Sequence, residues 1–501
     1  MNWLWGFLLL GLSAHAVTLE ESRSRCEVLT NPDIKEAEGW KLTQERKPLM
    51  LAWVRRTCEK QERAYDDGRF PDHSSWKELD LIYYSFIDRH RVEAGIGLWQ
   101  ILQMGLTHDL SPYYLRFKSG VDDGKAVADS AFWKNPSAPL FEAFDRQWRA
   151  AGVDPAFTWL RLDKLEGKGS VAKVHADDLR NGERWLLKWG DEVHSDPVAS
   201  RIFAALGFNV DFPFYRAAGE VRLLLGRQGK QKRTVRQLVN FIYNSYNINL
   251  SPFITKVAEV TDEMVALEPL LRGRQGETYL TFTGLALEPR PSGETRLGPF
   301  LQDLAQNRKR REVRGALLAE IWIANWDTKP DNTLLSLGSE LRATYSDLGV
   351  SLGVKIQKFP RDLKGGLVNE FGWDVLELKD QEVHFHARMN SIPKAWREAS
   401  WSDLSWMAKQ IARLGPSDLR EILSHSGWPV AVRELYFHKL AERRRQILQA
   451  FAIADPFTWQ IDRSLDVGDV VKDGELVKEA DVALYPAGLL HTRGRFRGYG
   501  W

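Results

Sequence analysis

Asp327-Thr328-Lys329-Pro330-Asp331-Asn332, followed by Asp347-Leu348-Gly349 twenty positions beyond Asp327, carries the decisive pattern of this chain. Between the two lies Thr333-Leu334-Leu335-Ser336-Leu337-Gly338, an apolar run closed by glycine that suits a hairpin. Upstream, Glu312 to Ala324 carries Val313, Leu317, Leu318, Ile321 and Ile323. That is a broad apolar helix face leading into Asn325-Trp326-Asp327.

The residue types in these motifs fit phosphoryl transfer. Asp327 can orient an attacking hydroxyl and accept its proton, and Lys329 can neutralise the transferring group. Asn332 and Asp347 offer hard oxygen ligands for Mg²⁺. Two further signals lie upstream in a consistent order. Gly167-Lys168-Gly169-Ser170-Val171-Ala172-Lys173-Val174 follows Gly-x-Gly-x-x-Gly-x-Val with Ala172 for the third glycine. Its glycines let a turn bring backbone N–H groups close to phosphates. Lys188 stands in the apolar strand Glu183 to Trp189, 14 positions after Val174. That leaves room for a turn and a returning strand that sets the ammonium beneath the loop. Asp196 is the first candidate to orient this lysine and Glu192 the second; either can equally cap the next helix.

Asp327-x-Lys329-Pro330-x-Asn332 resembles the catalytic loop of protein kinases. Asp347-Leu348-Gly349 resembles their Asp-Phe-Gly metal motif, with Leu for Phe. The Gly-rich loop and Lys188 occupy the upstream order of that family. From about Phe157 to Ala454 the chain therefore resembles the protein kinase-like superfamily, in an atypical bacterial branch near the toxin-type serine kinases and phosphoinositide kinases. The resemblance implies an α+β, two-lobed fold, with a strand-rich N-lobe over 156–290 and a helical C-lobe over 291–455. It implies ATP and Mg²⁺ as cofactors. Asp327 and Lys329 would be catalytic, Gly167, Gly169, Ser170, Val174, Lys188 and Asp196 would bind the nucleotide, and Asn332 and Asp347 the metal. Three departures matter, the first that Asp196 is shorter than the family's usual Glu. The His-Arg pair before the catalytic Asp is Asn325-Trp326, and no Ala-Pro-Glu follows Asp347. Switching by loop phosphorylation and an ordinary peptide platform are therefore not expected. The acceptor stays open among protein, lipid head group, sugar and small molecule. An exported scaffold without turnover, or an AMP transferase, would use the same cleft.

Composition bounds the rest. The 501 residues are 44% apolar and 27% charged, which excludes a disordered, collagenous or multi-span membrane chain. Lys plus Arg (69) nearly balances Asp plus Glu (67), so no global field draws nucleic acid. Residues 1–16 read as a secretory signal: Trp3 to Leu12 is apolar and Ala14-His15-Ala16 fits a cleavage site. The run is too short to cross a ~30 Å hydrocarbon core, and a buried N-terminal helix is the alternative. Cleavage near Ala16 would leave the mature chain periplasmic or extracellular, with no membrane span. Cys26 and Cys58 could then pair, or remain buried thiols. Residues 17–155 read as mostly helical. Residues 227–255 read as an insertion with a loop over 243–249. Ser402 or Asp403 is expected to cap the first of two or three helices reaching Phe451, and 456–501 to add a small β extension. His384-Phe385-His386 lacks an evident third metal ligand. Arg308 to Arg311 and Arg443 to Arg445 read as solvated helix faces.

Overall fold

The computed structural model describes residues 18–30, 47–70, 113–165, 172–190, 192–228, 231–246, 250–357, 362–465, 471–472 and 475–476. The leader-like residues 1–16 and Gly167, Gly169 and Ser170 lie outside them. The chain divides into two units, 1–99 and 100–501. In the first, α1 (Leu19–Thr30) and α2 (Lys47–Asp66) are joined by a Cys26–Cys58 disulfide with Cα atoms 5.9 Å apart. Arg23 adds a forked pair to Glu62 at 2.6 and 2.8 Å. Residue 26 meets 58 while 23 meets 62, so the helices run antiparallel. Closing that loop is worth roughly 3–4 kcal/mol in the chain-entropy account.

The expected helical region does not extend to 155. Residues 113–118 form strand β1 (Tyr113–Lys118), and α3 (Ala143–Ala150) is a short helix of the second unit. Polar residues of this stretch bond far along the chain: Asp123 pairs with Arg311, and the Trp133 indole donates to the Leu206 carbonyl at 2.7 Å. Such contacts leave no local periodicity to read.

The second unit is α+β. Its largest sheet has eight strands: β2 (Trp159–Leu165), β3 (Ala172–Asp178), β4 (Arg184–Trp189), β6 (Phe214–Ala217), β7 (Arg222–Leu224), β10 (Ile254–Glu259), β11 (Thr278–Phe282) and β12 (Gly284–Arg290). They lie in the order β10-β11-β7-β2-β3-β4-β12-β6. Helix α4 (Glu192–Ala205) follows β4 and is buried along its whole length. The insertion contains a two-residue pairing of β8 (Arg227–Gln228) with β9 (Gln231–Lys232), then α5 (Val235–Tyr246). The expected loop at 243–249 is thus helical through Tyr246. Leu238 and Ile242, four apart, bury one face of α5 and carry the chain into a helix despite its Asn and Tyr content. α6 (Asp262–Leu267) precedes β11.

A four-stranded sheet runs β13 (Thr295–Gly298), β14 (Thr333–Leu337), β15 (Leu341–Tyr345), β5 (Asn209–Val210); β14 and β15 are the expected hairpin. β16 (Lys355–Gln357) pairs with β17 (Asp362–Lys364). A third sheet orders β1, β19 (Glu382–Ala387) and β18 (Leu376–Lys379). The helices around these sheets are α7 (Arg311–Trp322), α8 (Trp401–Ala412), α9 (Pro416–Ser424) and α10 (Val430–Ala450). The cap of α8 is Ser400 rather than Ser402 or Asp403. Ser400 accepts from the Asp403 N–H while Asp403 accepts from the Ser400 N–H at 2.8 Å, a reciprocal capping box.

Arg443 and Arg444 are buried, contrary to a solvated face. Neighbouring positions on α10 cap two different helices. Arg443 donates to the Ile321 and Trp322 carbonyls at 2.6 and 2.8 Å, at the end of α7. Arg444 donates to the Ile411 and Ala412 carbonyls at 3.2 and 2.6 Å, at the end of α8. The carbonyls of the last turn and the negative end of each helix dipole favour a guanidinium there. Arg443 thereby fixes the point from which the Asn325–Asn332 loop departs. Among the described residues no helix is long and apolar enough to cross a membrane.

Candidate active site

Lys188 is 3% exposed in β4. An ammonium so placed needs counter-charge, and three carboxylates supply it. Asp347 Oδ1 and Glu288 Oε2 lie 2.9 Å from Nζ, and Asp196 Oδ2 lies 3.3 Å away. Burial pulls the ammonium down, but the three charges outweigh it and hold Lys188 well above the ordinary lysine value. Lys188 in turn keeps the Asp347 carboxyl below its usual range. Asp196, the most distant of the three, is pushed up to about 6 by burial, with Lys188 opposing. Of the two expected candidates, Asp196 is the one that pairs with Lys188. Glu192 takes no part in the pairing; its buried Oε2 has no hydrogen-bond partner, and burial, then Asp347, raises its carboxyl well above the ordinary range.

The other two motifs close on the same point. Asp347 adopts φ +54, a left-handed conformation that aspartate tolerates better than most residues. Asn332 Nδ2 donates to the Asp327 carbonyl at 2.6 Å and approaches the Asp347 carbonyl at 3.5 Å. The Asp327 carboxylate accepts from Lys329 Nζ at 2.6 Å on Oδ2 and from Asn390 Nδ2 at 3.0 Å on Oδ1. Its backbone N–H donates to Asn325 Oδ1 at 3.2 Å, and Trp326 N–H donates to the Val350 carbonyl at 2.9 Å. Lys188, Asp196, Asn332 and Asp347, with Asp327 and Lys329, are therefore one connected cluster.

Val174 is not part of it. Directly opposed residues of an antiparallel pair share a face, and neighbours along a strand alternate. β3 pairs with β4 so that Lys173 opposes Lys188 and Val174 opposes Leu187. Val174 therefore lies on the far face, fully buried, and Lys173 takes the Lys188 face. A one-residue difference in register decides this, and the motif spacing does not encode it.

Glu288, Lys173 and Asn390 join the cluster without having been expected. Glu288 had a usable signal, a charge directly after the apolar run Leu285-Ala286-Leu287, much as Lys188 follows Leu186-Leu187. Asn390 had none: it reaches Asp327 from the segment after β19, 63 positions away. The His384 imidazole lies 3.3 Å from the Glu382 carboxylate, and no group of three or more His, Cys, Asp or Glu among the described residues could hold a metal ion.

The glycine of Asp347-Leu348-Gly349 has a packing reason. A Cβ at Gly349 would lie 2.7 Å from Glu192 Cβ and 2.9 Å from its Oε2. The Gly349 carbonyl also accepts from Ser195 Oγ at 2.5 Å. Gly349→Ala must push α4 away from the loop, an overpacking cost of about 1–3 kcal/mol. Urea unfolding should show the loss; an unchanged midpoint would mean that α4 yields freely.

Behind Asp327, Asn325 Nδ2 donates to Glu320 Oε2 at 2.8 Å. Burial lifts the Glu320 carboxyl from 4.5 to about 8, with Asn325 opposing. The folded state thus holds a proton that the unfolded chain releases at lower pH. Stability from this group is greatest below about 4.5 and is lost as pH rises through about 8. Glu320→Gln should therefore gain melting temperature over wild type progressively from pH 5 to 8. A parallel pair of curves would contradict the assignment.

No protein-family model matches the chain, and no curated protein matches it. Among solved structures the chain is similar to a ROP18 kinase domain in complex with AMP-PNP and sucrose, at 12% identity and a TM-score of 0.18, over 65% of this chain and 94% of that one.

Proposed function

We propose that this chain is an ATP- and Mg²⁺-dependent phosphotransferase of two-lobed, protein kinase-like fold, working on an acceptor hydroxyl outside the cytoplasm. One observation carries it: Lys188 and Asp347, 159 positions apart, are in contact, and Asn332 links the Asp347 and Asp327 backbones beside them. The eight-stranded sheet would form the upper lobe and α7 to α10 the lower.

Asp327 orients the acceptor hydroxyl and receives its proton, with Asn390 and Lys329 fixing its two oxygens. Lys329, over a third exposed at its side chain, is placed to balance charge on the transferring group. Asn332 and Asp347 would hold Mg²⁺: Lys188 keeps the Asp347 carboxyl below its usual range, and the Asp347 side chain is 32% exposed. Two protein ligands leave the remaining positions to phosphate and water, as magnesium prefers. When bound, the metal neutralises charge on the phosphate oxygens. Export rests on the leader-like residues 1–16 and on the Cys26–Cys58 disulfide, which persists in oxidising compartments.

The test uses purified protein with Mg²⁺ and ATP labelled at either the α- or the γ-phosphate. Label leaving from the γ position to water or acceptor, abolished by chelation, is the expected result. Transfer of α label would mean AMP transfer. No turnover, with Asp327→Ala indistinguishable from wild type, would leave a binding scaffold.

A further inference from the structure

Lys188 is the lysine that a phosphate would be expected to meet, yet it is fully engaged. Its ammonium is shared among Asp347, Glu288 and Asp196 within 3.3 Å. Lys173 stands directly opposite on β3, on the same face of the sheet. It is only partly exposed, and its side chain pairs with no carboxylate among the described residues. The groups around it are Asp347, Lys188, Glu288 and Arg290; burial lowers its pKa, Asp347 and Glu288 raise it, and Lys188 and Arg290 lower it. Asp347 and Glu288 are already paired with Lys188, and Glu288 also with Arg290.

Two like charges directly opposed across strands destabilise a sheet. Partial burial deepens the cost, because an unpaired ammonium loses solvent. A local arrangement that costs stability without a compensating partner is a mark of function. An anion bound on this face of β3 and β4 would reverse the sign. Lys173 is also the second residue of β3, next in sequence to the Gly-rich segment.

We propose that Lys173 is a phosphate-binding residue of this site, contacting the polyphosphate of the nucleotide while Lys188 holds Asp347 in place. The assignment rests on the phosphotransfer reading for the identity of the anion, though not for its charge. It divides the work of one lysine between two: Lys188 organises the carboxylates, and Lys173 recognises the ligand.

The experiment measures binding of Mg²⁺·ATP, adenosine and inorganic tripolyphosphate by calorimetry to the full chain, to Lys173→Met and to Lys173→Arg. Deleting one charged hydrogen bond to a ligand corresponds to roughly a 10- to 100-fold weakening. Lys173→Met should weaken Mg²⁺·ATP and tripolyphosphate by that factor, leave adenosine within about twofold, and keep or raise the melting temperature of the unliganded protein. Lys173→Arg should bind like wild type. A Lys173→Met protein that binds Mg²⁺·ATP as wild type does would overturn the proposal and leave the phosphotransfer reading standing. A lowered melting temperature in the unliganded variant would also overturn it, since the lysine would then be structural. Wild-type protein that binds tripolyphosphate but neither ATP nor adenosine would remove the nucleotide and keep the anion site. Binding of none of the three would end both.

Discussion

Asp327→Asn is expected to reduce γ-phosphate transfer by roughly 100- to 10,000-fold, the range for removing a positioned general base. The substitution keeps the shape of the side chain. An amide oxygen can still accept from Asn390 Nδ2, now 3.0 Å from Oδ1, and Asn332 still bonds the unchanged backbone carbonyl. Nucleotide and metal binding should therefore persist, and the loss should fall on turnover rather than on the KM for ATP. Single-turnover kinetics separates the two. Equal loss of binding and turnover would mean that Asp327 holds the loop together rather than acting on the acceptor.

Lys188→Met is expected to cost both folding and function. The substitution removes the positive charge shared by three carboxylates and leaves them in a buried cluster. Glu288 retains Arg290 and, at 4.0 Å, Arg296, but Asp196 and Asp347 lose their partner. Breaking a buried pair by deleting one member typically costs about 3–5 kcal/mol. The pH dependence has a definite sign. Asp196 already sits at about 6 because of burial, and without Lys188 its folded value rises further above that of the unfolded chain. A raised carboxyl is bound to its proton in the native state, so its penalty grows as pH increases and vanishes in acid. The stability gap between wild type and variant should accordingly be wide at pH 8 and narrow at pH 5. A gap that is constant with pH would mean that the carboxylates do not depend on Lys188.

The sequence reveals those parts of the site whose geometry is set within a few residues. Asp327, Lys329 and Asn332 lie in one loop, and a 3₁₀ turn over Pro330–Asn332 brings the amide back onto the Asp327 carbonyl. The hairpin that returns the chain to Asp347 is equally local, since Thr333 pairs with Tyr345. Glu288 and Asn390 are different. Each reaches the cluster by strand pairing or loop packing between distant segments, which no local spacing records. Val174 shows the finest limit: a strand seen correctly still leaves its facing undetermined until its register with β4 is known. Arg443 and Arg444 show the opposite error. A basic run on a helix is ordinarily solvated, but two helix ends converge on α10 and supply carbonyls for both guanidinium groups.

A structure of the protein crystallised with AMP-PNP and Mg²⁺ tests the whole scheme in one measurement. The account predicts a triphosphate lying along the β3–β4 face, with the metal bound to Asn332 and Asp347 and the terminal phosphate within reach of Asp327. Nucleotide bound elsewhere, or density for the metal away from both of those side chains, would contradict it.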